Sequence, residues 1–411
     1  MLKQSPFFEF FNRRPDPSFT TFESTSIQDE DYIDWNGHLM PYDYGDAETE
    51  YRAVRNECAF CDVSPMRKIR ITGKDATALL DVLLTRQAST LDNYRAQYVV
   101  FCNEDGTLKD DAILYKFSET DYLLLPSDID HSPYFKTVAN DHGLTEVGFT
   151  ESTSSLAGLA LQGPCSAGVA SEMGFSGIES LEPFEIRNMD INGREIMVAR
   201  MGFTADLGFE FWIKPEDTGL FQELIRSVRQ STGLAIQGYG LSALEACRIE
   251  GGFVVAGWDF ATEVDDAPGF ERAPFEVGLA WTVDMKGADF IGKESLTKIK
   301  GQSRYLIRRL STNIHADLEG LDIFASIDGE ERIVGSVNCA IWSWGQRATI
   351  GNASIFRGDK DVTDAWVLME GERIKIELQK GGFVNFPRRN EVPAPLNVSP
   401  TETSNAASTT D

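Results

Sequence analysis

The sequence predicts an α+β protein whose C-terminal end is all β. Three observations carry that reading: a strand–turn–helix unit used twice, an amphipathic helix in mid-chain, and a run of short alternating segments after about residue 303 where helices largely stop.

The elements follow in chain order. The first 30 residues mix Phe clusters with Pro and Ser and are expected to form an arm packed on the body (1–30). RKIRIT alternates in the strand period, meets Gly73 and gives way to ATALLDVLL; AGLALQ meets Gly163 and gives way to SAGVASEM. Between them, YVVFCNEDGTLKDDAILYKF reads as a strand ending near Cys102, a turn through Asn103–Gly106 and a returning strand. MDINGREIMVAR places Asn192 and Gly193 between two alternating runs, a strong two-residue hairpin signal. After Pro215, the residues Leu220, Phe221, Leu224, Ile225 and Val228 recur at helical spacing. GYGLSA superficially fits a dinucleotide fingerprint but follows only the short apolar run LAIQ, so the start of a helix is the expected use. From 303 to 390 RYLIRRLS, LDIFASI, EERIVGSV, ATIGNASIF and AWVLMEGERIKIELQ, parted by Gly turns, predict a small barrel or sandwich. Residues 391–411 are rich in Pro, Ser, Thr and Asn and read as a flexible tail.

Composition narrows the function. The chain has 411 residues, with 64 Asp and Glu against 38 Lys and Arg, a formal net charge of −26. Nucleic acid and anionic membrane surfaces call for a basic footprint, so neither is an expected partner. No apolar run approaches a membrane span and the start lacks a signal-peptide pattern, which makes the cytoplasm the expected compartment. Six cysteines are too sparse for a disulfide scaffold, and Cys58 and Cys61 form a C-x-x-C without a second pair, so no metal is expected. Zincin, Walker-type and nucleophile-elbow motifs are missing from the sequence.

Three segments carry chemistry. Asp110 and Asp111 are adjacent on a strand, so one faces inward and the other outward, and the inward one needs a partner or ligand; a solvated acidic turn is the plainer use. Glu210 lies between Phe209 and Phe211, an acid within an aromatic strand that could simply alternate outward. Arg248 follows Leu241 and Leu244 on a probable helix side, where a surface salt bridge is the plain alternative.

With their flanks, these segments resemble the folate-dependent aminomethyltransferase family, best known from the T protein of the glycine cleavage system. The resemblance rests on YGDAETEYRAVRNECAFCDVS, ITGKDA, NEDGTLKDDAILYKF, ALQGP, GFTADLGFEF, GLSALEACRIEGG and PFEVGLAWTVDMKGADFIGKESL, in register over about residues 35 to 385. SPFFEFF, PFEVGLAWTV and the R-I-E-G-G form look closer to the tetrahydrofolate-dependent demethylase branch, typified by the dimethylsulfoniopropionate demethylases. Asp110-Asp111 is T-protein-like, whereas Leu244-Glu245 replaces an Arg-Asp pair of the T proteins.

The resemblance implies two interleaved α/β lobes (31–302) around a central folate channel, followed by the β-barrel domain. It implies tetrahydrofolate as one-carbon acceptor, with no metal, nicotinamide or flavin. Glu210 matches the pterin-edge acid, since a carboxylate accepts the paired N–H donors of a 2-amino-pyrimidinone. Tyr98 and Phe203 match aromatic positions of the pocket, Arg248 the arginine toward the anionic glutamate tail, and Asp110 the acid beside N5, as a catalytic residue. The activity expected is methyl transfer from a small methylated sulfonium, amine or ether to N5, giving 5-methyltetrahydrofolate. Two other readings are aminomethyl transfer from a lipoyl carrier protein and folate binding without catalysis.

Overall fold

The computed structural model describes residues 2–8 and 32–393. Two five-stranded sheets and a closed six-stranded barrel make up the body, with seven helices among the described residues. The first sheet has the strand order Arg95–Cys102, Leu108–Ser118, Asp121–Pro126, Ile69–Thr72, Gly148–Glu151. The second runs Ile186–Ile191, Arg194–Ala199, Gly208–Ile213, Ala157–Gln162, Ala59–Asp62. The lobes are interleaved as expected: the chain gives one strand to the second sheet at Ala59–Asp62, builds the whole first sheet, and returns at Ala157.

The two strand–turn–helix units sit at equivalent places, one in each sheet. Gly73 and Gly163 have φ of +123° and +126°, and a Cβ would lie 2.1 Å from the Glu146 carbonyl oxygen at the first and 2.6 Å from that of Glu57 at the second. Only glycine turns the strand this sharply into its helix. Behind the first sheet, Leu79, Leu80, Phe135 and Val138 of the helices Ala76–Leu83 and Ser132–Asp141 bury against Ile69 and Ile71. Behind the second, Val169, Phe221 and Ile225 of Ser166–Glu172 and Thr218–Thr232 pack on Phe209 and Phe211. The inner faces of the sheets meet through Tyr115, Leu125, Ala160 and Trp212, together with Tyr51 and Ala243 from the helices Ala47–Asn56 and Leu241–Gly251.

Asn192 and Gly193 form the hairpin turn, with φ of 53° and 77°, the pair of positive values that matches strand twist. The barrel strands Tyr305–Thr312, Asp322–Ile327, Glu330–Ser343, Ala348–Phe356, Ala365–Met369 and Glu372–Gln379 close in a ring around Leu310, Val337, Ala353 and Val367. The helix Leu241–Gly251 seats the barrel on the lobes, Ile249 packing with Cys339 and Ile350. Within the expected N-terminal arm, Phe7 is fully buried and Ser5 Oγ donates to Asp62, while residues 9–31 lie outside the described residues. Most of the expected tail, 394–411, lies outside them too. No helix among the described residues is long and apolar enough to cross a membrane.

Candidate functional site

A cavity of about 900 Å³ opens between the two sheets and the segment that leads to the barrel. Tyr98, Phe203 and Glu210, three of the residues expected at a site, line it; Asp110 and Arg248 do not.

Glu210 sits on the strand Gly208–Ile213 and points from the second sheet toward the first. Tyr115 Oη donates to its Oε2 at 2.9 Å, and Oε1 has no partner among the described residues. Burial pushes its carboxyl up to about 7, with Tyr115 and Lys68 holding back part of the rise. Lys68 is itself fully buried, with its Nζ 5.0 Å from the Trp212 ring centroid, and burial lowers its ammonium to about 7 against the pull of Asp62, Glu151 and Glu210. A buried acid with one free acceptor oxygen, facing an open space, is a place for a ligand N–H donor.

The strand Leu108–Ser118 supplies the opposite wall and turns its two adjacent carboxylates to different sides. Asp110, Ala112 and Leu114 share the face turned into the body of the lobe, with Leu108 turned to the other side by the bulge opposite Phe101 and Cys102, whereas Asp111 and Ile113 line the cavity and Tyr115 reaches Glu210. Asp110 is therefore fully buried behind the wall, its Oδ2 accepting from Ser127 Oγ at 2.7 Å and His131 Nε2 at 2.7 Å. Asp111 is the carboxylate in the cavity. Tyr98 Oη donates to its Oδ2 at 2.5 Å, and the Tyr98 ring stacks on Trp281 with centroids 5.8 Å apart. Burial, and then the neighbouring Asp110 charge, raise the Asp111 carboxyl above the usual range, the Tyr98 hydroxyl offsetting part.

Arg248 lies away from the cavity lining as well. It is fully buried, with Nη1 donating to Asp259 Oδ2 at 2.9 Å and to the Phe253 carbonyl at 3.1 Å, and Nε to Glu245 Oε2 at 2.8 Å; Nη2 completes a fork on Glu245. Its donors are spent inside the protein, tying the helix Leu241–Gly251 to the segment that follows it. Other cations reach the cavity. Arg309 of the first barrel strand bonds the Gly252 carbonyl and leaves Nε and Nη1 without partners among the described residues. The Arg389 guanidinium lies 4.9 Å over Phe253, and the Phe253 ring stacks on the half-exposed Phe203 at 5.2 Å.

Among the acids that line the cavity, Asp111 and Glu210 stand on facing walls. Tyr115 and Asp111 are four residues apart on one strand, about 13 Å at roughly 3.3 Å per residue, and the apolar Ile113 lies between them. That span, with an acid at each end and the apolar Ile113 between, can take a flat ligand that carries N–H donors. No group of three or more His, Cys, Asp or Glu suited to a metal ion occurs among the described residues. Alternation puts Asp110 and Asp111 on opposite faces of the strand, and no signal in the sequence says which face lines the cavity.

Known proteins agree with this architecture. A family model described as the GCVT N-terminal domain matches residues 25–287. An aminomethyltransferase of Clostridium botulinum (strain Okra / Type B1) is 30% identical over 273 residues, 66% of this chain and 71% of the relative. One from Geobacillus sp. (strain WCH70) is 28% identical over 383 residues, covering 92% of this chain and 97% of the relative. The crystal structure of the glycine cleavage system aminomethyltransferase T from Bartonella henselae shares the fold, with a TM-score of 0.76 at 20% identity over 94% of this chain and 99% of that one. With the interleaved lobes, the closed barrel and the cavity between them, these matches establish that the chain belongs to the folate-dependent aminomethyltransferase family, enzymes that transfer one-carbon units.

Proposed function

We propose that the protein transfers a one-carbon unit from an amine-bearing donor to tetrahydrofolate, with Glu210 holding the pterin amino edge and Asp111 beside the reacting nitrogen. The observation that carries this reading is the pair of cavity-facing carboxylates, each with an acceptor oxygen left unfilled by the protein, on opposite walls of one space. Tetrahydrofolate would supply the nucleophilic nitrogen. Glu210 accepts two N–H bonds in its charged form and so fixes the heterocycle in the plane between the sheets. Tyr98 holds the Asp111 carboxylate in one orientation. Asp111 is then placed to take the proton that leaves when the nitrogen is alkylated, and to stabilise positive charge on an incoming donor. Arg309 and Arg389, in place of Arg248, are the cations available to an anionic tail leaving past Phe203 and Phe253.

Aminomethyl transfer is the donor chemistry supported by the names of the relatives, and it takes precedence over the demethylase reading drawn from the sequence. Methyl transfer from a small cation stands second. It is favoured by the acids and aromatic rings that share the cavity lining, Asp34, Trp35, Tyr42, Asp128 and Trp258, which suit a quaternary ammonium or sulfonium group. The test is turnover with tetrahydrofolate against two sets of donors. Ammonia and 5,10-methylenetetrahydrofolate from an aminomethylated lipoyl carrier support the first reading; 5-methyltetrahydrofolate from a methylated ammonium or sulfonium compound supports the second. Binding of tetrahydrofolate without either product contradicts both.

A further inference from the structure

Asp110 and His131 have no part in the chemistry described so far, yet they form a fully enclosed polar cluster behind the cavity wall. Both side chains are fully buried. A carboxylate oxygen only accepts, so His131 Nε2 carries the hydrogen of the 2.7 Å contact with Asp110 Oδ2. Ser127 Oγ donates to the same oxygen, and the Asp111 backbone N–H donates to Oδ1 at 2.8 Å. Asp110 therefore grips the backbone of the residue whose side chain enters the cavity. The imidazole is itself fixed: Phe101 meets it edge-on at 4.8 Å and Phe135 packs at 5.9 Å. On its far side, Nδ1 lies 3.9 Å from Glu263 Oε1, and Glu263 is paired with Lys109.

We propose that Asp110 and His131 are positioning residues: a buried, hydrogen-bonded brace that holds Asp111 toward the cavity and keeps a second carboxylate beside it. The proposal rests on the reading of Asp111 as the acid beside the reacting nitrogen. The charges that bear on Asp111 are Asp110 from its own strand, Asp259 from the segment after the helix Leu241–Gly251, and the Tyr98 hydroxyl from the neighbouring strand. Those that bear on the brace are Glu263, Lys109, Asp128 and Asp130; Asp128 feels the Asp110 charge, and Asp130 faces His131. Of these, Asp110 is the one that His131 bonds directly. Losing Asp110, or the donor that fixes it in place, takes the like charge from beside Asp111, and Asp111 then releases its own proton at lower pH.

The experiment is a pH titration of the ligand-free protein by infrared difference spectroscopy of the carboxyl band, with the Asp111 signal assigned by its loss in Asp111→Asn. Asp110→Asn and His131→Phe are each expected to move the Asp111 midpoint down by about one pH unit, the effect of a like charge in close contact. His131→Gln keeps a donor and is expected to leave the midpoint near wild type. The acid limb of the rate profile should move with the midpoint in the same variants. A midpoint that stays in place in Asp110→Asn overturns the proposal, whether or not His131→Phe folds. Because no folate is present in this titration, failure to bind tetrahydrofolate would defeat the functional reading separately.

Discussion

Glu210 and Arg248 are both buried charges at the junction of the two lobes, and both were expected to bind folate, yet they differ in what the protein leaves them to do. Arg248 makes a fork with Glu245, an ion pair with Asp259 and a bond to the Phe253 carbonyl, and has no donor to offer a ligand. Glu210 has one bond, from Tyr115, and faces open space. Burial alone therefore does not mark a binding residue. Burial with unfilled hydrogen-bonding capacity does, because the missing bond represents free energy that a ligand can recover.

Four changes would break or sharpen this contrast. The largest effect is expected from Asp111→Asn, which removes the cavity-facing acid that Asp110 cannot replace from behind the wall. Turnover should fall roughly 10²–10⁴-fold, with tetrahydrofolate still bound, as measured by single-turnover kinetics beside calorimetry. Arg248→Met comes next and should act on the fold: stranding Glu245 and Asp259 costs about 3–5 kcal/mol in denaturant unfolding, while the folded protein binds tetrahydrofolate with unchanged affinity. Weaker folate binding in Arg248→Met without loss of stability would reverse the contrast.

Glu210→Gln should do the opposite. It loses about 1.5–3 kcal/mol of tetrahydrofolate binding, the worth of bonds to a charged acceptor, seen as a 10- to 100-fold rise in Kd. The pH dependence has a definite sign. Wild-type affinity falls as pH drops through about 7, where the carboxyl takes up a proton, whereas Glu210→Gln shows no such limb. In the ligand-free protein a carboxyl held above its usual value favours the protonated fold. The residue therefore weakens stability as pH rises from its ordinary 4.5 through about 7, and Glu210→Gln raises Tm at pH 8. The smallest effect belongs to the periphery. Gly193→Ala, at φ +77° in an exposed hairpin with nothing within 4 Å of the added Cβ, should cost about 1 kcal/mol of stability and leave folate binding untouched.

The same distinction explains what could be read from the sequence. Local rules were sufficient for the two glycine-turned strand–helix units, the Asn192-Gly193 hairpin and the change to β structure after residue 303, because each depends on periodicity and turn chemistry within a short window. The neighbourhood of Glu210 depends on Tyr115 and Lys68, separated from it by 95 and 142 positions, and only the fold brings them together. Alternation required Asp110 and Asp111 to face opposite sides but did not say which side held the cavity. The surroundings of Arg248 were hidden for a related reason: two of its partners, Asp259 and the Phe253 carbonyl, lie on the irregular segment after its helix, which carries no periodic signal.

The most direct test is a crystal structure of the protein with tetrahydrofolate. The pterin amino edge should lie on the Glu210 carboxylate, with its N5 facing Asp111 and the glutamate tail away from Arg248. A pterin bound elsewhere in the cavity, or its amino edge turned from Glu210, would contradict the assignment.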